Sequence, residues 1–381
     1  MRHTLRLFLI FLGSLNFSYR EVGDVVDFSQ HQLRFVCLLI LSILIFFDIG
    51  RLKKIKINNY SILFLLFLIS RLISSVWSSD PIISLLRNIE YIVYIISIYF
   101  ILDYFKLKIF RKIFFLIFIK IFVVFCLALI FPDQGFVYIN SFFPMLQGFF
   151  PNINSNALAA FSFILFIYFS YRRDYLFNLV LLPIIILSQS RFTLVFLILF
   201  FLRKVKATYL LLFSGIVLIF SVIFENFSLF MLRGQDVGTL YTLSNRLNIW
   251  QNIYFYFIET PMTLFYGNGS FVSAREILDV NSFDYLYYNN TLITIDNSYI
   301  ELIVESGLFS LILFLILIKK SFSFLKIFKE NRFYQTLTFI YFFVVSRGFF
   351  SSYLLWHNSY IFYIFLIIPL IYFRNYEASD L

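Results

Sequence analysis

Charged residues are scarce in this sequence of 381 residues, and that scarcity excludes a soluble protein. Asp, Glu, Lys and Arg make up only 14% of the chain, whereas a soluble domain carries about 25%. Hydrophobic residues make up 61%, and no soluble fold could bury that much apolar surface. The same composition excludes disorder, a coiled coil and a secreted disulfide scaffold. We therefore predict an integral membrane protein with a single transmembrane domain over residues 1–381.

Cysteine is almost absent, and its placement is not that of a metal or disulfide framework. The two cysteines, Cys37 and Cys126, both lie inside apolar runs, which is typical of buried thiols. No Asp-x-Asp-type metal motif occurs in the predicted outer loops, because Asp279 and Asp284 are too far apart. The sequence predicts neither a metal nor a cofactor.

Long apolar runs are the dominant feature of the chain. A membrane-spanning helix needs about 20 mostly apolar residues, and twelve stretches qualify as candidates. The expected fold is an all-α polytopic membrane protein with about twelve transmembrane helices. The candidates are 4–19, 33–49, 60–77, 84–102, 110–131, 157–171, 175–190, 192–202, 207–225, 297–318, 334–350 and 357–373.

Basic residues orient these spans. If the N-terminus lies in the cytoplasm, 21 of the 31 Lys and Arg residues fall in the inner segments, and every inner loop follows the positive-inside rule. Both termini are then predicted to be cytoplasmic. The net charge of +10 faces the cytoplasm and calls for no nucleic-acid partner.

One outer segment, residues 226–296, is far longer than the other loops. A loop of this length in a compact protein is usually functional or has structure of its own. The run from Asn245 to Glu259 is rich in Ile, Tyr, Phe and Trp, Ser244 can cap a helix, and Pro261 follows. We predict a helix of about 15 residues here, lying against the outer membrane surface.

Arginines gather on the predicted outer side. Four of them lie in or beside the predicted spans, and three lie in the long loop. Arginine is well suited to bind phosphate, because its planar guanidinium group can form two parallel hydrogen bonds and stays charged. The alternative is that some of them are snorkelling residues or structural ion pairs. The residues are Arg71, Arg87, Arg191, Arg347, Arg233, Arg246 and Arg275.

Carboxylates lie at the start of the tenth predicted span. Asn297, Glu301 and Glu305 recur every four residues and therefore share one helix face, directly after Asp296. A carboxylate here could act as a general base towards a hydroxyl, or it could pair with a buried arginine. For Glu305, deeper in the span, we favour the ion pair; for Asp296 and Glu301 both alternatives stay open.

Several polar and glycine-containing stretches follow one another over roughly residues 70–310. The stretches are Trp77-Ser78-Ser79-Asp80-Pro81, Gly148 to Ala157, Ser188-Gln189-Ser190-Arg191, Arg246-x-x-x-Trp250 with Pro261 and Gly267-x-Gly269, and Asp296-Asn297-Ser298-Tyr299 through Glu305-x-Gly307. In this order they resemble the O-antigen polymerase/ligase family of polytopic bacterial glycosyltransferases. The chain departs from the ligase pattern, which has His-Asn where this chain has Asp296-Asn297.

The resemblance implies a metal-independent transferase of the bacterial inner membrane that acts on undecaprenyl-pyrophosphate-linked oligosaccharides at the periplasmic face. The polymerase branch is favoured; a ligase that moves polysaccharide onto lipid A–core and a flippase for the lipid-linked unit are the alternatives. Membrane lipid and a chain-length regulator protein are candidate partners.

Residue roles follow from this hypothesis. Arg191 and Arg246 are expected to hold the pyrophosphate, and Asp296 or Glu301 to activate the acceptor hydroxyl. His357, at the start of the last span, is an interfacial histidine or a further substrate contact. The predicted substrate-binding residues are Arg71, Asn154, Asn156, Trp250, Asn297, Arg347 and His357.

Overall fold

The computed structural model describes most of the helical part of the chain. Within that part the protein is almost entirely α-helical, which confirms the all-α fold class. The described residues are 2–14, 28–52, 58–106, 109–137, 144–146, 155–202, 246–269, 295, 297–327, 331–351, 354 and 360–376.

The helices match the predicted apolar stretches wherever those are described. Short 3₁₀ turns, Ser75–Trp77 and Gly348–Phe350, directly follow two of the helices. The helices are α1 (Arg2–Ser14), α2 (Phe28–Leu52), α3 (Asn59–Ser74), α4 (Pro81–Phe105), α5 (Ile109–Ile130), α6 (Pro132–Gly135), α7 (Ser155–Arg172), α8 (Tyr175–Leu187), α9 (Arg191–Leu202), α10 (Arg246–Glu259), α11 (Pro261–Tyr266), α12 (Ser298–Ile327), α13 (Arg332–Arg347) and α14 (Tyr360–Tyr376).

In the part of the chain that the structure describes, four helical segments are long and apolar enough to cross a membrane: Asn59–Trp77, Pro81–Phe105, Ile109–Ile130 and Ser298–Ile327. Shorter apolar helices cover Phe35–Gly50, Tyr175–Leu187 and Arg191–Leu202. These segments support a membrane protein, while twelve spans and their orientation stay predictions. The predicted span 207–225 lies outside the described residues.

The chain divides into two compact units. The second unit comprises Phe17–Arg20 and Phe110–Ser244, and thus α5 to α9. The first contains all the other helices and comprises Met1–Asn16, Glu21–Ile109 and Asn245–Leu381.

Helices α3, α12 and α14 pack together in the first unit. Phe67 of α3 stacks on Phe314 of α12, with ring centroids 5.4 Å apart. The hydroxyl of Tyr60 donates to the Leu366 carbonyl of α14 at 2.7 Å and lies 2.9 Å from Ser321 Oγ of α12. The Tyr60 hydroxyl therefore joins three helices at a point where no water is needed to satisfy it.

Local sequence explains where α3 and α4 begin. Asn58 and Ser61 form a reciprocal capping box at the start of α3. Asp80 accepts a hydrogen bond from the Ile83 N–H at 3.0 Å, and Pro81 occupies the first turn of α4, where a missing N–H costs nothing. The Asp80-Pro81 pair therefore fixes the sharp turn between the two helices.

The second unit is built on aromatic packing. Phe169 of α7 stacks on Phe177 of α8, with centroids 4.5 Å apart, and Phe118 of α5 meets both rings edge-on. A two-stranded antiparallel sheet pairs β1 (Phe136–Val137) with β2 (Met145–Leu146). These contacts hold α5, α7 and α8 as one packed group.

Candidate functional site

Arg71 forms a buried ion pair that joins α3 to α12. Its Nη2 lies 2.9 Å from Glu305 Oε2, and only 4% of Arg71 is exposed. The guanidinium also lies over the Tyr91 ring of α4, 4.7 Å from the centroid. Glu301 lies one turn earlier on the same face of α12. The pairing predicted for Glu305 is confirmed, and it is made with an arginine that lies 234 positions away in the sequence.

Asn88 of α4 connects the side chain and the main chain of Arg71. Its Oδ1 accepts a hydrogen bond from Arg71 Nε at 3.3 Å, and its Nδ2 donates to the Arg71 carbonyl at 2.9 Å. Nδ2 also donates to Ser75 Oγ at 2.8 Å, and Ser84 Oγ donates to Ser75 Oγ at 3.1 Å. A network of buried amide and hydroxyl groups thus lies behind the ion pair.

The helix α12 is interrupted beside this pair. Gly307 has φ +80° and ψ 171°, a conformation that side-chain-bearing residues rarely adopt. A Cβ atom at Gly307 would also overlap the Phe265 carbonyl of α11. Both constraints require glycine at the position that ends the Glu305-x-Gly307 motif.

Residues 267–269, here called the glycine strap, cover the interruption. The Asn268 N–H donates to the Val304 carbonyl at 2.8 Å, and the Gly269 N–H donates to the Glu305 carbonyl at 2.9 Å. Gly267 and Gly269 both have positive φ, and a Cβ on either would overlap a neighbour. The strap therefore satisfies carbonyl groups that the break in α12 would otherwise leave exposed in an apolar medium.

The turn between α3 and α4 packs against the same strap. A Cβ on Gly269 would overlap Ser78, and Trp77 stacks on Tyr266 with ring centroids 5.2 Å apart. Three of the segments from which the sequence analysis predicted a family resemblance, 77–81, 267–269 and 305–307, thus meet in the first unit. Their convergence was not deducible from spacing along the chain.

The start of α12 brings further predicted residues together. Asn297 Oδ1 accepts hydrogen bonds from the N–H groups of Tyr299 and Ile300, so Asn297 caps the helix. Trp250 Nε1 donates to the Ile295 carbonyl at 3.0 Å. Both side chains therefore position the chain on either side of residue 296. Glu301 lies one turn further along and is 8% exposed.

The end of α13 supports this cap. Ser298 Oγ donates to the Ser351 carbonyl at 2.6 Å, and the Tyr299 hydroxyl donates to the Val345 carbonyl at 2.8 Å. Arg347 is the last residue of α13, and Arg246 is the first residue of α10; both are half-buried. The helix predicted over 245–259 is confirmed as α10 over Arg246–Glu259, and residue 245 lies outside the described residues.

Two predicted residues belong to the second unit. Arg191 is half-buried at the first residue of α9, directly after the buried residues Ser188, Gln189 and Ser190. Gln189 has φ +49°, so the polar break between two apolar runs is a tight turn. Asn156 is half-buried in the first turn of α7.

The remaining predicted residues, Asp296, Asn154 and His357, lie outside the described residues, as do Arg233 and Arg275 of the long loop. Arg87, the other predicted outer arginine, pairs with Glu90 on α4 at 3.1 Å. The ion pairs of Arg71 and Arg87 both correspond to the structural alternative named for these arginines.

A second buried charge cluster lies at the other end of α4. Arg6 is 0% exposed, and its Nη2 donates at 2.6 Å to both Asp48 Oδ2 and the Leu44 carbonyl. Its guanidinium lies 4.7 Å from the centroid of Phe100, and its Nη1 is 3.1 Å from His3 Nδ1. The sequence signal for this pairing is Asp48, an acidic residue in an apolar run.

Among the described residues, no group of three or more His, Cys, Asp or Glu side chains could hold a metal ion. No protein-family model matches the chain, and no curated protein matches it either. The site must therefore be interpreted from its own residues.

Proposed function

We propose that the protein is an O-antigen polymerase of the bacterial inner membrane. It joins undecaprenyl-pyrophosphate-linked oligosaccharide units at the periplasmic face and releases undecaprenyl pyrophosphate. The observation that carries the proposal is the convergence of the segments 77–81, 267–269 and 305–307 on the buried pair of Arg71 and Glu305. These are three of the segments on which the resemblance to the family rests.

The proposed reaction is a displacement at the first sugar of the donor unit. A hydroxyl of the acceptor unit attacks C1, and the bond from C1 to the pyrophosphate oxygen breaks. The electron pair leaves with undecaprenyl pyrophosphate, and the hydroxyl proton passes to a carboxylate. Because the pyrophosphate already activates the sugar, no nucleotide sugar is consumed.

Glu301 is the carboxylate that we propose as the base, with Asp296 as the alternative. Glu305 is engaged by Arg71 at 2.9 Å, so its charge is committed to holding α3 and α12 together. Glu301 lies on the same helix face, one turn nearer the cap at Asn297. A base in this position would take a proton in the transition state.

Arginines would stabilise the leaving group. Charge develops on the pyrophosphate oxygen as the bond breaks, so preorganised cations bind the transition state more tightly than the ground state. Arg246 is proposed for this role, with Arg71 contributing to substrate binding beside Glu301. The corresponding role of Arg191 stays a prediction from the sequence.

Reconstitution tests the proposal. The purified full chain in liposomes should convert lipid-linked repeat units into a ladder of longer saccharides, with a metal chelator present and no nucleotide sugar. Absence of a ladder under conditions in which the protein stays folded would reject the polymerase.

The alternatives give different results in the same liposomes. A flippase would expose single units on the opposite leaflet without joining them, and a ligase would label lipid A–core only when that acceptor is added. Measuring leaflet exposure, chain length and acceptor labelling in parallel separates the three activities.

A further inference from the structure

Asn88 forms hydrogen bonds with both of its terminal side-chain atoms beside Arg71, and the proposed function gives it no role. It is 1% exposed, and each of its two terminal atoms is used. One end accepts from the guanidinium Nε, and the other donates to the Arg71 carbonyl and to Ser75 Oγ. The same side chain thus holds Arg71 by its side chain and by its main chain.

Only an amide can make this set of bonds. An aspartate at position 88 would offer acceptors alone and would place a carboxylate against the Arg71 carbonyl. A leucine would fill a similar volume and make none of the bonds. Behind the amide, Ser75 accepts from Ser84, and Ser84 lies beside Gly269 of the glycine strap. The network therefore runs from the strap to the guanidinium.

We infer that Asn88 is a positioning residue: it fixes the guanidinium of Arg71 towards α12, and this orientation sets the affinity for the diphosphate-bearing donor. The inference rests on the proposed function, in which Arg71 binds substrate. Asn88 itself touches no substrate and acts through Arg71.

The physical basis is preorganisation. Arginine loses much rotamer freedom when it is fixed, and binding is weakened whenever that loss occurs at the moment the ligand arrives. Asn88 on one side and the Tyr91 ring beneath it fix the guanidinium in advance. Arginine has five N–H donors, so a guanidinium that holds Glu305 can also bind a phosphate oxygen.

The test compares Asn88→Ala and Asn88→Leu with a matched control. Asn178→Ala removes another buried asparagine, which donates to Ser170 Oγ at 2.8 Å within the second unit and is outside the proposed site. The full chain in nanodiscs is assayed for kcat and KM with the lipid-linked repeat unit, and for thermal unfolding.

The Asn88 variants should raise KM about tenfold and change kcat by less than about threefold, since tenfold corresponds to losing one charge-assisted hydrogen bond. A fraction of misfolded protein would lower kcat and leave KM unchanged, so the KM readout separates positioning from damage. Asn178→Ala should leave KM at the wild-type value. An unchanged KM in Asn88→Ala, or an equal increase in Asn178→Ala, would overturn the inference.

A double-substitution cycle locates the effect in the guanidinium. Lysine has a methylene group where arginine has its Nε–H, so an Arg71→Lys variant has already lost the hydrogen bond to Asn88 Oδ1. Asn88→Ala should therefore raise KM little further in that background. A full additional tenfold increase in that background would mean that Asn88 acts only through the main chain, which also overturns the inference.

Inorganic pyrophosphate gives a readout that does not require turnover. At the same concentration it should raise the Tm of the wild-type protein more than that of Asn88→Ala. Equal shifts in both proteins, or no shift in the wild type, would count against positioning of Arg71. A separate result, the absence of a ladder with the wild-type protein, would reject the proposed polymerase activity itself.

Discussion

Glu305 and Arg71 form a pair in which each residue makes the other tolerable inside an apolar bundle. Both side chains are buried, and the separation of 2.9 Å between Arg71 Nη2 and Glu305 Oε2 gives the charges a direct hydrogen bond. Replacing one partner leaves an uncompensated charge, whereas replacing both with apolar residues removes the desolvation cost as well. The pair therefore contributes more to holding α3 and α12 in position than to the net free energy of unfolding.

Glu305→Gln should destabilise the protein strongly, by roughly 3–5 kcal/mol, because it leaves the Arg71 charge without its counterion. The double variant Arg71→Met/Glu305→Leu should recover most of that loss. Thermal and denaturant unfolding in detergent measure both. The exposed pair of Arg172 and Asp174 is the control, since Asp174→Asn should change stability little. A double variant no more stable than Glu305→Gln would contradict this account of the pair.

Glu301→Gln tests the assignment of the base. The amide keeps the volume and cannot accept the proton, so the rate of linkage formation should fall about 10²–10⁴-fold while the protein stays folded. The rate in reconstituted liposomes and the Tm are measured together. A rate near that of the wild type, with Asp296→Asn inactive, would assign the base to Asp296 instead.

At the scale of elements, the interruption of α12 is the feature that shapes the site. Gly307 breaks the helix, and the glycine strap supplies N–H donors to the carbonyls of Val304 and Glu305. The strap can approach because Gly267 and Gly269 have no Cβ atoms. The strap thus fixes the main chain at Glu305, in addition to the contact that the Glu305 side chain makes with Arg71.

Gly307→Ala should lower the Tm by several degrees and reduce activity. Alanine at φ +80° and ψ 171° costs roughly 1–3 kcal/mol, and its Cβ would also displace α11 through the Phe265 carbonyl. Gly50→Ala is the control: nothing lies within 4 Å of a Cβ there, so it should be neutral or slightly stabilising. Equal Tm values for the two variants would show that the break tolerates a side chain.

The N-terminal helix α1 is fixed to α2 by the buried pair of Arg6 and Asp48. Asp48→Asn should destabilise the protein by roughly 3–5 kcal/mol, because Arg6 keeps its charge in a fully buried position. Arg2, which is 60% exposed and 4.0 Å from the same carboxylate, provides the comparison, and Arg2→Ala should have little effect. Unfolding curves of the detergent-solubilised variants measure both changes in stability. Similar losses from the two substitutions would contradict the burial argument.

At the scale of the whole molecule, the composition predicted the class of protein and the periodic apolar runs predicted most helices. The predicted helix over 245–259 appears as α10 because its aromatic run and its following proline are local signals. The pairings of Arg71 with Glu305 and of Arg6 with Asp48 could not be predicted, since each partner is chosen by how distant helices pack. The break at Gly307 was also missed, because a glycine within an apolar run is equally compatible with an unbroken helix.

The predicted orientation can be tested on intact cells. In a chain with both cysteines, Cys37 and Cys126, replaced by serine, Glu259→Cys should react with a membrane-impermeant maleimide, and Lys112→Cys should react only after the cells are opened. Both positions are exposed at helix ends in the structure. The reverse labelling pattern would contradict the positive-inside assignment.

The most direct measurement of the proposed activity is the stoichiometry of the leaving group. Purified protein in liposomes is given repeat units labelled in both lipid and sugar, and undecaprenyl pyrophosphate is counted against glycosidic bonds formed. The account predicts one molecule released per bond, with chains growing beyond a single unit. Translocated single units with no release, or release only when lipid A–core is supplied, would contradict it.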